Sequence, residues 1–218
     1  YDPTGVAVAA NGDLWVVDSG NSRVLRFPSP FEQPVGDEPV MPTANLVLGQ
    51  PAFTSREVDP SETTMGRPVQ IALTTNGSVL VSDFAFNRVV YFRKPAEDDF
   101  VNGQAAEKVF GQPDFISVAA GNAETSFNQP LAISTDTDDF LYVADRGNQR
   151  IQVYGSVSGG DPNVPLALSI PITSSAIYGL FVSADTGEIW VADFNGRILR
   201  YPNRNNLILD QTPTLNFK

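Results

Sequence analysis

The chain has 218 residues, 42% hydrophobic and 18% charged, enough to bury one large all-β core or two small ones. Its formal net charge of −11 at pH 7 repels phosphate backbones, so nucleic acid is excluded as a natural partner. With no histidine and no cysteine, it has no disulfide, thiolate nucleophile, imidazole base or His/Cys-ligated transition metal of its own, while carboxylate catalysis and calcium binding stay open.

The first apolar runs, GVAVAA (5–10) and DLWVVD (13–18), are joined by Asn11-Gly12. Alternating β-branched and aromatic residues around Asn-Gly predict a hairpin. A short turn leads to a third strand, RVLRF (23–27), and then to a fourth, NLVLGQ (45–50). After the long connection Pro51–Pro68 the plan repeats, with Asn76-Gly77 in the hairpin, RVVYF (88–92) third and EKVFGQ (107–112) fourth. A second long connection, Pro113–Pro130, leads to a third unit with TDTDD (135–139), RIQVY (150–154) and VPLALSI (164–170). The last unit holds ADTGE (184–188), RILRY (197–201) and NLILDQ (206–211). No segment has helical periodicity. No apolar run approaches the ~20 residues that span a bilayer, so membrane insertion is not expected.

Each unit carries one Asp before its turn: Asp18, Asp83, Asp145 and Asp193, spaced 65, 62 and 48 residues apart. Four antiparallel strands per unit, repeated, predict an all-β β-propeller with four four-stranded blades. The expected division is one domain over 1–218, with blades at about 1–55, 56–118, 119–172 and 173–218. The sequence opens in a first strand and closes after a fourth. No strand is left over for exchange between the terminal blades, so self-association through unclosed ends, or a place in a larger ring, is expected.

Two stretches, PTGVAVAANGDLWVVDSGNSRVLRF (3–27) and QPLAISTDTDDFLYVADRGNQRIQVY (129–154), resemble NHL repeats in their hydrophobic start and Asp-x-Gly-Asn-x-Arg turn. The paired LGQPAF and FGQPDF segments resemble those of bacterial NHL-repeat proteins that are often secreted. The resemblance implies a propeller located outside the cytoplasm, extracellular or periplasmic. It also implies, for the lyases of this kind, a His-ligated metal, and for the RNA-binding members a basic face. A histidine-free chain of charge −11 fits neither. The expected function is therefore non-enzymatic: a binding or structural module recognising protein, peptide or glycan, without a cofactor unless calcium. The alternatives are a propeller hydrolase or lyase using carboxylates and calcium at the central opening, or a repeat subunit of a surface assembly.

The repeated pairs Asp18/Arg23, Asp83/Arg88, Asp145/Arg150 and Asp193/Arg197 are expected to be scaffold turns, because a site usually breaks the symmetry of a repeat. The Asp accepts turn N–H groups, Gly20 and Gly147 supply a left-handed backbone, and the Arg pairs with a carboxylate or with turn carbonyls. In unit two Phe86 takes the Asn position, and the turn of unit four is one residue shorter, so both are expected to lose hydrogen bonds. Trp15, Leu80, Tyr142 and Trp190 share one position and are expected to pack between blades. Ligand-binding candidates lie on the long connections: Arg56, Glu57, Asp59 and Glu62 on one, Asp114, Asn122, Glu124 and Asn128 on the other. Asp136, Asp138 and Asp139, hard oxygens in one tight hairpin, are the calcium candidates.

Overall fold

The computed structural model describes residues 1–31, 41–172, 177–207, 213 and 216–217. Blade 1 is built from β1 (Pro3–Val8), β2 (Leu14–Asp18), β3 (Arg23–Phe27) and β4 (Leu46–Leu48). Blade 2 contains β5 (Pro68–Leu73), β6 (Val79–Asp83), β7 (Arg88–Phe92) and β8 (Lys108–Phe110), and blade 3 contains β9 (Pro130–Thr135), β10 (Phe140–Asp145), β11 (Arg150–Ser156) and β12 (Leu166–Pro171). Blade 4 comprises β13 (Ile177–Val182), β14 (Ile189–Asp193), β15 (Ile198–Tyr201) and β16 (Asn216–Phe217). Each blade is a four-stranded antiparallel sheet with its strands in sequence order, and the four sheets form a four-bladed β-propeller. Among the described residues the helical content is two three-residue 3-10 turns, Ser19–Asn21 and Arg146–Asn148. No described helix is long and apolar enough to cross a membrane.

The first three predicted strands of every unit form. The expected fourth strand of blade 4, 206–211, falls largely on 208–211, which lie outside the described residues; among the described residues β15 pairs with β16 at Asn216–Phe217.

Strand alternation sends successive side chains to opposite faces, so each inner blade is apolar on both sides. Trp15, Val17 and Val24 of blade 1 pack with Ile71, Val79, Val81 and Phe92 of blade 2. Leu80, Val89 and Tyr91 of blade 2 pack with Leu141, Val143 and Tyr154 of blade 3. Tyr142, Ile151 and Val153 of blade 3 pack with Leu180, Ile189 and Leu199 of blade 4. Burying each such side chain stabilises by roughly 1.5–3 kcal/mol, and these three slabs are the core. The expected inter-blade packing of the shared aromatic position holds at Trp15, Leu80 and Tyr142, which are 3% exposed or less. Trp190 is only half-buried, because its face of blade 4 has no neighbouring blade against it.

The inner strands β1, β5, β9 and β13 follow one another around the axis, each packed on the next. Polar contacts reinforce the seams: Ser82 Oγ donates to the Leu131 carbonyl at 2.7 Å, and Arg26 holds Asp99 of the following blade bidentately at 2.7 Å. The antiparallel order places the β2–β3 turns and the long connections at one end of the disc. The β1–β2 hairpins lie at the other end.

Candidate functional site

At the turn end, each Asp ends its second strand as a carboxylate with little or no exposure. Asp145 accepts Asn128 N–H at 2.8 Å, Asn148 Nδ2 at 2.7 Å and Arg150 Nε at 2.8 Å. Asp83 accepts the N–H groups of Gly66 and Arg67 and pairs with Arg88 at 3.2 Å, both side chains fully buried. In these two blades the N–H donors come from the end of the long connection, not from the turn itself as expected. Asp18 is met by Asn21, Arg23 and the Tyr1 amine. Asp193 does accept its own turn, from Asn195 and Arg197 N–H at 3.0 Å.

Burial pushes the Asp145 carboxyl above its ordinary range, against the pull of its Asn128, Asn148 and Arg150 donors. Burial likewise raises Asp83, against Arg88 and the N–H groups of Arg67 and Gly66. At Asp18 burial also works upward, but the Tyr1 amine, Asn21 and Arg23 outweigh it and hold the carboxyl low.

The arginines reach further than their aspartates. Arg88 donates to the carbonyls of Thr64 (2.7 Å) and Ser61 (3.2 Å) in the connection before it and of Phe115 (2.6 Å) in the connection after it. Arg150 donates to Asn122, Ala123 and Ser126 carbonyls, and Arg23 to that of Phe53. The two departing turns adapt differently. Phe86, in place of Asn, lies with its ring 5.0 Å from the Arg88 guanidinium, and the shorter turn of blade 4 closes Arg197 directly onto Asp193.

Gly20 and Gly147 do not supply the left-handed backbone. Ser22, Asn87 and Gln149, one residue before each Arg, carry the positive φ of 52–55°. Gly147 is needed for close approach: a Cβ there would sit 2.7 Å from the Asn128 carbonyl oxygen.

The paired GQP segments fasten the connections. Gln50 donates to the Ser22 and Glu57 carbonyls and accepts Glu57 N–H at 2.7 Å, and Gln112 donates to Phe86, Asn87 and Ala119 carbonyls. Gly49 and Gly111 have φ of +78° and +85°, and a Cβ on either would meet Met65 Cε or the Phe127 ring at 2.0 Å. The spacing of these residues within both LGQP and FGQP was the sequence signal for this role, which motif reading left unassigned.

Six of the candidate ligand-binding residues, Glu57, Asp59, Glu62, Asn122, Glu124 and Asn128, are therefore held by their backbones. Arg56, Glu57, Asp59, Glu62, Asp114, Asn122 and Glu124 are exposed, and Asn128 is half-buried. No hydrogen bond or ion pair joins side chains of the first set to those of the second among the described residues. Asp114 turns inward on its own loop, accepting Ile116 and Ser117 N–H.

Asp136, Asp138 and Asp139 do not converge on a cation site. Arg204 bridges Asp136 and Asp138 (2.6 Å to the latter), Tyr142 donates to Asp136 at 2.9 Å, and Asp139 accepts Thr75 N–H at 2.7 Å and Ser158 Oγ. Burial, and then Asp136, push the Tyr142 phenol well up. Among the described residues no group of three or more carboxylates is placed to hold a metal ion.

One constellation at the turn end was not foreseen. Tyr178, at the bulge that opens the inner strand β13, is 49% exposed and stacks on Phe194, 69% exposed, with ring centroids 5.5 Å apart. The Arg146 guanidinium lies 5.4 Å from the Tyr178 centroid, and its Nη1 donates to Gln129 Oε1 at 2.9 Å. Its Nε is buried without a hydrogen-bond partner. A cation with spare donors beside an aromatic ledge, at the mouth of the axis, suits a ligand with a carboxylate or other planar anionic end. What marks it is the exposure of Phe194 and Tyr178, which residue type alone does not show.

The NHL repeat family model matches residues 1–27 and 127–154. The chain is 26% identical over 182 residues to a protein named "Probable peptidyl-alpha-hydroxyglycine alpha-amidating lyase" of Caenorhabditis elegans, covering 82% of this chain and 44% of that protein. Among solved structures it resembles a virginiamycin B lyase from Staphylococcus aureus, with TM-score 0.57, 15% identity, and coverage of 97% of this chain and 55% of that one. It also resembles a "putative 6-phosphogluconolactonase" from Bacteroides uniformis, with TM-score 0.64, 15% identity, and coverage of 99% and 54%. At these identities the solved structures bear on the fold. The chain spans about half the length of the proteins it matches. These relatives overturn the preference for a non-enzymatic module, since the sequence relative is named as a lyase and the enzymatic alternative is the better backed. The missing histidines misled because they were weighed as though one whole site lay in these 218 residues, whereas the match takes in less than half of the relative. The first three strands of blade 1 and the corresponding part of blade 3 match the NHL repeat model, and they are set in an all-β propeller.

Proposed function

We propose that these blades serve an enzymatic propeller of the lyase kind, with substrate engaged at the axial mouth beside Arg146 and Tyr178. The similarity to an amidating lyase over 82% of the chain carries the reading. The substrate class it suggests is a peptide ending in α-hydroxyglycine. Cleavage takes the hydroxyl proton onto a base, forms the C=O of the departing glyoxylate, breaks the Cα–N bond and returns a proton to nitrogen, leaving a peptide amide. No water or redox partner enters. Arg146 would hold the substrate carboxylate, the Tyr178–Phe194 ledge would seat the planar end, and the Tyr178 hydroxyl is a proton carrier in a chain without imidazole. The paired GQP segments also support kinship with secreted bacterial NHL proteins, and hence a location outside the cytoplasm.

The test is to incubate the purified chain with such a peptide and follow the amide by mass spectrometry. Amide should form above the spontaneous rate. Arg146→Met should lower kcat/KM by roughly 10–100-fold, the worth of a charged hydrogen bond, with the melting temperature unchanged. Amide formation no faster than background, or activity indifferent to Arg146→Met and Tyr178→Phe, would remove this reading.

A further inference from the structure

The outer face of blade 4 is built like the faces that are buried inside the molecule. Trp190 and Ile198 occupy the positions held by Trp15 and Val24 in blade 1, Leu80 and Val89 in blade 2, and Tyr142 and Ile151 in blade 3. All six equivalents are 3% exposed or less, while Ile198 is 44% exposed and Phe181, paired with Trp190 on the same face, is 60% exposed. Blade 1 has the complementary condition. Val6, Val16 and Leu25, paired side by side across three strands, stand where Ile71, Val81 and Val90 of blade 2 are buried against blade 1. Val6 is 63% exposed and Val8, two residues along the same face, 60%.

The chain thus makes one kind of blade-on-blade interface three times and leaves one half of it open at each end. The open halves differ from each other, and each fits the other because it fits the same partner internally. We propose that the outer face of blade 4 docks on the outer face of blade 1 of a second copy of this chain, continuing the internal stacking across molecules. The contact is heterologous, and two copies joined at both pairs of faces leave no blade face open. Each copy carries −11, so the association gains strength as added salt screens the repulsion.

Light scattering and sedimentation across a wide concentration range test it, with Val8→Glu and Phe181→Glu as probes. Both residues are exposed in the single chain, and circular dichroism verifies that the variants fold. The wild-type chain should run at the mass of two chains and more so at high salt, and each variant should run at the mass of one. An equal mixture of the two variants should recover part of the two-chain species, since each retains the face that the other lacks. Larger species that both variants shorten report the same contact left unclosed. A single-chain mass at every concentration overturns the proposal, and is also what further blades of one polypeptide covering both faces would give. So does association that neither variant weakens, or variants that do not rescue one another, as for a symmetric contact.

Discussion

Asp145 concentrates the chemistry of the repeated turn in one carboxylate, fully buried and holding three donors, Asn128 from the long connection and Asn148 and Arg150 from its own turn. Replacing it by Ala strands these donors and leaves Arg150 without its charge partner. Asp145→Ala should cost roughly 1–3 kcal/mol, measured by urea unfolding, with the far-ultraviolet dichroism retained. A variant as stable as the parent would mean that burial of the carboxylate already cancels the gain from its partners. The Asp and Arg were legible in the sequence as a scaffold pair, because four copies share their spacing. The source of the N–H donors was not, since Asn128 and Asp145 are brought together only when β9 pairs with β10. The role of Gly147 was legible as a need for glycine but not as its cause, a neighbouring backbone in the space of a Cβ.

On the scale of elements, the long connections are irregular in sequence and fixed in structure. Connection 113–130 presents the carbonyls of Phe115, Ala119, Asn122, Ala123, Glu124 and Ser126 to side chains of blades 2 and 3. Arg150→Ala removes the donors for three of them, and a carbonyl without a partner draws in water and loosens the loop. Limited proteolysis should then cut this connection several-fold faster than in the parent, while the strands stay protected. Unchanged cleavage would assign the fastening to Gln112 and the aspartate alone. Reading these loops as exposed carriers of polar side chains was natural, since hydrogen bonding by backbone carbonyls leaves no trace in residue type. The GQP glutamines and glycines were the visible part of it.

For the whole molecule, blades 2 and 3 are covered on both faces and blades 1 and 4 on one. Stability should follow that order. In hydrogen exchange the amides of β6 and β10 should be the last to exchange, and those of β14 and β15 should exchange well before them. Equal protection throughout would mean that the four blades open as one unit. The architecture was legible because each blade repeats four short strands, and repetition averages out local ambiguity. The axial ledge of Arg146, Tyr178 and Phe194 was not, for its members come from two blades and share no motif. The arginine fastening has one more consequence. Arg88 takes carbonyls 27 and 24 residues before it, at Ser61 and Thr64, and Arg150 takes those at the same offsets, Ala123 and Ser126. Blades 2 and 3 therefore each come with the clasp for the loop that precedes them. A gene duplication cut in register around either of them copies loop, clasp and strands together, so the number of such blades can change in ancestry without leaving their loops unfastened.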